Sequence, residues 1–336
     1  MKRVAFGFIT AFALLASAGL ADADEAERIV VVGDVHGAHA PLALLLSAAG
    51  LIDAEGHWSG GEATLVQLGD LIDRGPSDRD VLELMMSLER EAEKDGGRVV
   101  VLLGNHELMN LIGDWRYVSS AGSASFGGRS KRREALAPKG KYGKWLRERP
   151  AVELIDGTLF VHGGLIEEVT KLGLRGIRMR VREEISRLDK ARARAIRSHG
   201  LSANADFDGL LGLKLPELAH YGNWLIANAE GPFWYRGYQN WDDAELEKRL
   251  PGILAAVGAK RVVVGHSVQL PAAIRLRADA RAILVDTGML GAPTYPGGAP
   301  LALEIRGERL TSIALDGTRT VLRGEAAPVP AAAPTK

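Results

Sequence analysis

The sequence predicts an α/β fold built from repeated strand–loop–helix units. Three short runs rich in β-branched or aliphatic residues each end at a glycine and lead into a polar loop, at residues 29–32, 63–68 and 98–103. Parallel strands joined by helices present their carboxyl ends at one edge of a sheet. Because that edge is where open α/β sheets bind ligands, we expect the three polar loops to converge there.

Length and composition are those of an ordinary globular protein. The chain has 336 residues, of which 46% are hydrophobic, enough for one large domain or two smaller ones. Its 42 basic and 42 acidic residues cancel, so we expect neither a nucleic-acid partner nor a stable membrane partner. The absence of cysteine excludes disulfides and a cysteine nucleophile.

The first 23 residues have the pattern of an export signal. Lys2 and Arg3 precede an apolar run over residues 4–20, and residues 21–23 have the A-x-A form of a cleavage site. We therefore expect export to the periplasm and a mature chain that begins at residue 24. An uncleaved N-terminal membrane anchor is the alternative, since a membrane span needs about 20 apolar residues.

Helices are expected to complete the repeated units. The apolar residues of 41–50 can pack back on the first strand, and Gly50 ends that helix. Pro76 opens a second helix over about 77–93, and Glu107 fits the first turn of a third, where the helix dipole favours an acid. Later strands are expected at 158–161 and 261–264, and a β-meander completing a second sheet at 282–286, 301–305 and 311–315.

Two polar segments interrupt this pattern. Small residues at 119–128 precede the basic run 129–133, which predicts either a surface insertion with a solvated basic face or a lip that gathers anionic substrate. From 167 to about 197 the chain is helical and rich in charge, which predicts a salt-bridged exposed helix or an anion-steering cap. The expected domain spans 24–322, with insertions at about 114–150 and 167–230, and a disordered Ala/Pro-rich tail over 323–336.

Polar residues at the ends of five predicted strands supply oxygen and imidazole donors without sulfur: Asp34, His36, Asp70, Asn105, His162 and His266. Side chains at i and i+2 of extended backbone point the same way, so Asp34 and His36 can reach one cation. Such donors suit a two-metal site, in which a carboxylate bridges ions about 4 Å apart. Asp70, in the middle cluster, is the expected bridge. We assign one ion to Asp34, His36 and Asp70, and the other to Asp70, Asn105, His162 and His266.

Five motifs carry these residues: GDVHG at Gly33–Gly37, GDLIDRG at Gly69–Gly75, GNHE at Gly104–Glu107, HGG at His162–Gly164 and GH at Gly265–His266. In this order they resemble the phosphoprotein phosphatase (PPP) family of metallophosphatases. The segment GPFWYRG at Gly231–Gly237 and the export signal are most similar to the bacterial Shewanella-like protein phosphatase branch. The resemblance implies a calcineurin-like metallophosphoesterase β-sandwich flanked by helices, with helical or loop insertions forming a cap.

The resemblance also implies roles for the site residues. Two ions, which are Mn, Fe or Zn, would lower the pKa of a shared water, and the bound hydroxide would attack phosphorus in line. Arg74 would bind phosphate in its bidentate fork, Arg236 would close from the other side, and Asn105 would donate an amide proton to phosphate. His106 would protonate the leaving oxygen, with Asp73 fixing its orientation.

We therefore predict a metal-dependent phosphomonoesterase acting on phosphotyrosine and/or phosphoserine/threonine of proteins, or on a small phosphomonoester. Trp224, Phe233, Trp234 and Tyr235 could stack on a phenyl ring. Residues 285–289 replace the SAPNYC-type segment of eukaryotic serine/threonine members, which leaves substrate preference open. One alternative is a dinucleoside polyphosphate hydrolase resembling the diadenosine tetraphosphatases. Another is a non-enzymatic phosphate-binding protein, although we would expect that to have lost a ligand or the Asp73–His106 pair.

Overall fold

The computed structural model describes residues 27–325, and the expected export signal lies outside this range. The strands are β1 (Arg28–Val32), β2 (Thr64–Gln67), β3 (Arg98–Val101), β4 (Val152–Ile155), β5 (Thr158–Val161), β6 (Arg261–Val264), β7 (Arg275–Arg277), β8 (Ala282–Leu284), β9 (Leu301–Arg306), β10 (Arg309–Ala314) and β11 (Arg319–Arg323). They form two sheets, with orders β11-β10-β9-β1-β2-β3 and β4-β5-β6-β8-β7.

Helices connect and cover these strands. They are α1 (His39–Ala48), α2 (Asp78–Lys94), α3 (Asn105–Ile112), α4 (Ser120–Ser125), α5 (Arg129–Leu136), α6 (Lys141–Arg147), α7 (Glu167–Thr170), α8 (Gly173–Ser198), α9 (Phe207–Gly212), α10 (Gly237–Asn240) and α11 (Asp243–Val257). Two short 3₁₀ helices lie at Pro216–Leu218 and Tyr221–Asn223. No helix within residues 27–325 has the length and apolar character needed to cross a membrane.

The two sheets pack face to face and the helices cover their outer faces. Successive side chains of a strand point to opposite faces. In β1, Ile29 and Val31 belong to a buried cluster that also contains Phe160 and Val263 of the second sheet. Val30 and Val32 face the other way, into the larger cluster that the helices close. This arrangement confirms the predicted α/β sandwich flanked by helices.

The carboxy-terminal strands do not complete the second sheet as predicted. β8 joins that sheet parallel to β6, but β9 and β10 cross to the first sheet, where β9 pairs antiparallel with β1. The apolar alternation of these runs indicates strands, but it does not name their partners. Arg323, placed in the expected tail, ends β11, and residues 326–336 lie outside the described range.

The two insertions are helical and largely packed against the sandwich. The prediction of a solvated basic face at 129–133 is wrong for Arg132, which is completely buried, while Arg129 and Lys131 are exposed. The helix predicted from 167 is confirmed as α7 and α8, with a break after Thr170. Its Glu184 is buried and accepts from the backbone N–H of Ile226 rather than pairing with an arginine.

Candidate active site

The predicted site residues meet at the carboxyl ends of parallel strands from both sheets, not at the edge of one sheet. β1, β2 and β3 are parallel in the first sheet, and β5, β6 and β8 are parallel in the second. The backbone N–H of His266, which follows β6, donates to Asp34, which follows β1, over 3.0 Å. A cavity of about 180 Å³ opens at this junction. Its lining includes Asp34, His36, Asp70, Asn105, His106 and His266.

All six side chains predicted as metal ligands are buried. Two groups of donor atoms lie within mutual reach of 4.8 Å: His36, Asp70 and His106 form one, and Asp70, His162 and His266 form the other. Asp70 belongs to both groups, as expected of a bridging carboxylate. Asp34 belongs to neither group, although its Oδ2 lies 3.9 Å from His36 Nε2, the same distance as Asp70 Oδ2.

Backbone carbonyl groups orient two of the histidines. His36 Nδ1 lies 3.2 Å from the carbonyl oxygen of Ile72, and His162 Nδ1 lies 2.9 Å from that of Leu68. If His36 donates through Nδ1, the lone pair of its Nε2 is available to the site.

His162 Nε2 lies 2.9 Å from Asn105 Oδ1 and 3.4 Å from Asp70 Oδ2. Burial opposes protonation of His162, but Asp70 outweighs it and raises the pKa of His162 to about 9, so a bound cation would take the place of that proton. His266 Nε2 is buried and has no hydrogen-bond partner within the described part of the chain. A buried imidazole nitrogen without a hydrogen-bond partner, close to the Asp70 carboxylate, can bind a metal ion. These residues therefore fit a metal centre.

The electrostatics of the site also fit bound cations. Burial, with the nearby Asp286, raises the pKa of Asp34 well above its usual range. Burial also lowers the pKa of His36 to about 3, helped by His106, and that of His266 to about 2, helped by His162. The imidazoles of His36 and His266 therefore stay neutral at pH 7, which is the form that binds metal. A cation would relieve the crowding of buried carboxylates around Asp34.

Glu107 holds two of the loops together and is more than the first-turn acid that its position predicts. Its carboxylate accepts from the backbone N–H groups of Asp70 at 2.7 Å, Leu71 at 2.8 Å and Gly104 at 2.8 Å. The first two belong to the loop after β2, and the third lies just before α3. Glu107 therefore fixes the position of Asp70 relative to Asn105.

The structure brings together the residues predicted to act on the leaving group and those predicted to bind the phosphate. His106 Nδ1 lies 2.9 Å from Asp73 Oδ2, and Arg74 Nη2 lies 3.2 Å from His106 Nε2. Burial opposes protonation of His106, but Asp70 and Asp73 outweigh it and raise the pKa of His106 above its usual value. Arg236 donates to the carbonyl oxygen of His266 at 2.8 Å and also lines the cavity.

The four aromatic residues proposed for ring stacking divide into one at the site and three elsewhere. Trp234 lines the cavity. Trp224, Phe233 and Tyr235 are buried in the hydrophobic core, so the prediction is wrong for these three. An aromatic side chain can serve either role, because burying a large ring in the core stabilises the fold as ring stacking stabilises a bound substrate.

Four residues that line the cavity were not anticipated from the sequence: Tyr117, Val268, Asp286 and Tyr295. Asp286 follows β8 much as Asp34 follows β1, so an aspartate after a buried apolar strand was a usable signal. Tyr117 and Tyr295 come from loops without such a pattern. They flank Arg74, whose Cζ lies 5.0 Å and 5.8 Å from the centres of the Tyr117 and Tyr295 rings.

A larger cavity of about 450 Å³ adjoins the first and shares Trp234, Arg236 and His266 with it. Much of its wall is apolar and comes from α3 and from the second insertion, including Leu108, Met109, Ile112, Phe207 and Leu211. Charged residues, Asp114, Arg116 and Asp208, also line it. The buried site therefore opens into a mainly apolar recess.

Comparisons with known proteins agree with this geometry. Shewanella-like protein phosphatase 2 of Arabidopsis thaliana is 30% identical in an alignment that covers 84% of this chain and 76% of the relative. The cold-active protein-tyrosine phosphatase of a psychrophile Shewanella sp. superposes with a TM-score of 0.63 at 29% identity, covering 89% of this chain and 81% of the other. These matches confirm the predicted resemblance to Shewanella-like protein phosphatases.

The symmetrical bis(5'-nucleosyl)-tetraphosphatase of Ralstonia nicotianae is 31% identical, but the match covers only 41% of this chain and 42% of the relative. The family model of the calcineurin-like phosphoesterases matches residues 27–270, which include all five motifs. The chain therefore belongs to the calcineurin-like phosphoesterase family, and it is a hydrolase of phosphate esters.

Proposed function

We propose that this protein is a metal-dependent phosphoprotein phosphatase that hydrolyses phosphotyrosine, phosphoserine or phosphothreonine in polypeptides. The observation that carries the proposal is the pair of buried donor groups sharing Asp70, next to Arg74 and the Asp73–His106 pair. The similarity to phosphatases extends over most of the chain, whereas the similarity to a dinucleotide hydrolase covers less than half. The length of the match favours the phosphatase.

In this proposal the six predicted ligands would hold two ions. Asp34, His36 and Asp70 would hold one ion, and Asp70, Asn105, His162 and His266 would hold the other. When bound, Mn, Fe or Zn ions supply an activated water and neutralise the charge of the phosphate. Backbone carbonyl groups orient the rings of His36 and His162, so these two donors are held in place without a bound ion.

Other residues act on the phosphate ester directly. Arg74 and Arg236 bind phosphate oxygens, since guanidinium forks match their geometry. Asn105 donates its amide proton to the phosphate. His106 gives the proton at Nε2 to the leaving oxygen, while its Nδ1–H stays bonded to Asp73.

The larger cavity supports a polypeptide substrate. Its volume of about 450 Å³ exceeds what a bare phosphate needs, and its apolar wall suits side chains that flank a phosphorylated residue. Trp234 lies where the two cavities meet and is available to stack on an aromatic ring of the substrate.

We also propose that the protein is exported, on the basis of residues 1–23, which lie outside the described range.

The test is turnover of matched substrates by protein lacking residues 1–23. The protein is stripped of metal and reloaded separately with Mn, Fe or Zn, then assayed on phosphotyrosine, phosphoserine and phosphothreonine peptides and on diadenosine tetraphosphate. We expect phosphopeptide hydrolysis only after reloading, and its loss in Asp70→Asn. Preferential cleavage of diadenosine tetraphosphate would overturn the proposed substrate, and a fully active Asp70→Asn variant would overturn the metal assignment.

A further inference from the structure

Arg132 is a completely buried arginine in a helix contributed by the first insertion. Its guanidinium donates to Asp73 Oδ1 at 2.9 Å and to Asp78 Oδ2 at 2.5 Å. It also donates to Asn110 Oδ1 at 2.9 Å and to the carbonyl oxygen of Gly122 at 3.3 Å. Removing a charge from water is costly unless it is paired and hydrogen-bonded. The guanidinium is satisfied on every side, so its position is well determined.

Asp73 divides its two carboxylate oxygens between different partners. Oδ1 accepts from Arg132, whereas Oδ2 accepts from His106 Nδ1 and from Asn110 Nδ2, both at 2.9 Å. The amide of Asn110 contacts both Asp73 and Arg132. The guanidinium and the amide therefore fix the plane of the carboxylate, and this leaves Oδ2 facing the imidazole.

The charge balance shows why an arginine is needed at this place. Asp73 and Asp78 are both fully buried, and Arg132 is the cation that forms a salt bridge with each of them among the described residues. Without it Asp78 would have no salt-bridge partner among the described residues, and Asp73 would keep His106 but lose one of the contacts that hold its side chain. A lysine ammonium is a point charge on a flexible stem and cannot reproduce the planar fork.

We propose that the guanidinium fork of Arg132 positions Asp73, and through it His106, for proton transfer to the leaving group. Arg132 does not line the cavity at the site, so it acts only through other residues. The inference rests on the proposed function, in which His106 is the proton donor. It gives the first insertion an indirect, positioning role in the chemistry, in place of the anion-gathering lip that was one of the two predictions for this segment.

The dependence of rate on the leaving group separates this role from simple structural support. Phenyl phosphate has a poor leaving group that needs a proton, whereas 2,4-dinitrophenyl phosphate has a good one that leaves without help. A misplaced proton donor slows the first substrate selectively, while partial unfolding or loss of metal slows both equally. The ratio of the two kcat values therefore reports on His106.

The experiment compares Arg132→Met and Arg132→Lys with the metal-loaded wild-type protein, with metal content measured for each. General acid catalysis contributes about 10²–10⁴-fold, and we expect Arg132→Met to lose about 10–10²-fold of this in kcat on phenyl phosphate. On 2,4-dinitrophenyl phosphate we expect a loss of less than about threefold. Arg132→Lys should fall between the wild type and Arg132→Met. Lys131→Met, an exposed neighbour on the same helix, is the control and should leave both rates unchanged.

Two further variants keep the outcomes distinct. His106→Asn should change the ratio as much as Arg132→Met or more, and Arg132→Met should add no further change in an Asp73→Asn background. An unchanged ratio in His106→Asn overturns the role of His106, and the inference on Arg132 falls with it. A changed ratio in His106→Asn with equal losses on both substrates in Arg132→Met overturns only the inference on Arg132. Should Arg132→Met fail to fold, Arg132→Lys decides, and an unchanged ratio there overturns the need for the fork.

Discussion

At the scale of single residues, the site depends on backbone conformations with positive φ, which residues other than glycine rarely adopt. Asp70, Asp73 and Arg74 have φ angles of 56°, 75° and 66°. Each such residue costs about 1–3 kcal/mol unless the surroundings impose it. Here Glu107 accepts the N–H of Asp70, and the N–H of Arg74 donates to the carbonyl oxygen of Tyr117. In this loop conformation Asp70 and Arg74 line the cavity, and Asp73 lies behind it against His106.

Gly69, which immediately precedes Asp70, provides the first prediction at this scale. Its φ is 98°, and an added Cβ would lie 2.4 Å from the backbone nitrogen of Gly104. We expect Gly69→Ala to lower the free energy of unfolding by at least about 2 kcal/mol, from backbone strain and overpacking together. Urea unfolding measures the change. Gly252→Ala is the control, because Gly252 lies in α11 with open space around it, and a gain of about 0.5–1 kcal/mol is expected. Equal stability of Gly69→Ala and wild type would contradict this account of the loop.

At the scale of elements, Glu304 links three strands of the larger sheet. It lies in β9, and its carboxylate contacts Arg28 of β1 at 2.7 Å and Arg319 of β11 at 2.9 Å. Burial opposes its ionisation, but Arg28 and Arg319 outweigh burial and hold the pKa of Glu304 below its usual value. A carboxyl group with a lowered pKa stabilises the folded state above its unfolded pKa, and this contribution is lost as the pH falls through the folded pKa.

We therefore expect Glu304→Gln to be less stable than wild type by about 1–2 kcal/mol at pH 7, since it loses hydrogen bonds between charged groups. The difference should shrink below about pH 4, where the wild-type carboxylate begins to take up its proton. Thermal unfolding of both proteins at pH 7 and at about pH 3 measures this difference in stability. Glu308→Gln is the matched control: Glu308 pairs with Arg261 but is 73% exposed, so a change below about 0.5 kcal/mol is expected. A Glu304→Gln deficit that stays constant down to pH 3 would contradict the electrostatic origin.

At the scale of the whole molecule, the proposed metal centre joins the two sheets. Asp34, His36 and Asp70 follow strands of the first sheet, whereas His162 and His266 follow strands of the second. Ions bound to both sets would hold the sheets together at their carboxyl ends. A ligand that binds only the folded state stabilises it in proportion to the logarithm of its concentration.

Removal of metal is therefore expected to lower both activity and stability. A metal present at 100 times its dissociation constant adds about 2.7 kcal/mol, so a chelator should lower Tm by several degrees and abolish turnover. Differential scanning calorimetry before and after chelation measures the shift, and adding back Mn, Fe or Zn should restore Tm and turnover together. Asp70→Asn should show a smaller shift on chelation. A wild-type Tm insensitive to chelation would contradict a centre that links the sheets.

Local patterns were sufficient to predict most strands and the residues that follow them. Apolar runs that end at a glycine indicated β1, β2, β3 and β6, an apolar run that ends at His162 indicated β5, and the polar residues after these strands lie together in the structure. The strands β4, β7 and β11 were not predicted. Neither was α11, a helix of 15 residues that begins at an aspartate N-cap, Asp242, whose side chain accepts from the N–H of Glu245. The aspartate N-cap and the acidic first turn, Asp243 and Glu245, are a sequence signal for this helix.

The sequence by itself determined the donor chemistry of this protein, because residue type at a strand end sets which ligands it can offer. It also determined the family, because five motifs keep their order. Only the tertiary structure decided that β9 and β10 belong to the first sheet and not to the second. It also decided that Arg132 is buried against Asp73 while Lys131 is exposed to solvent. Both outcomes depend on partners far away in the chain, and local periodicity carries no information about such partners.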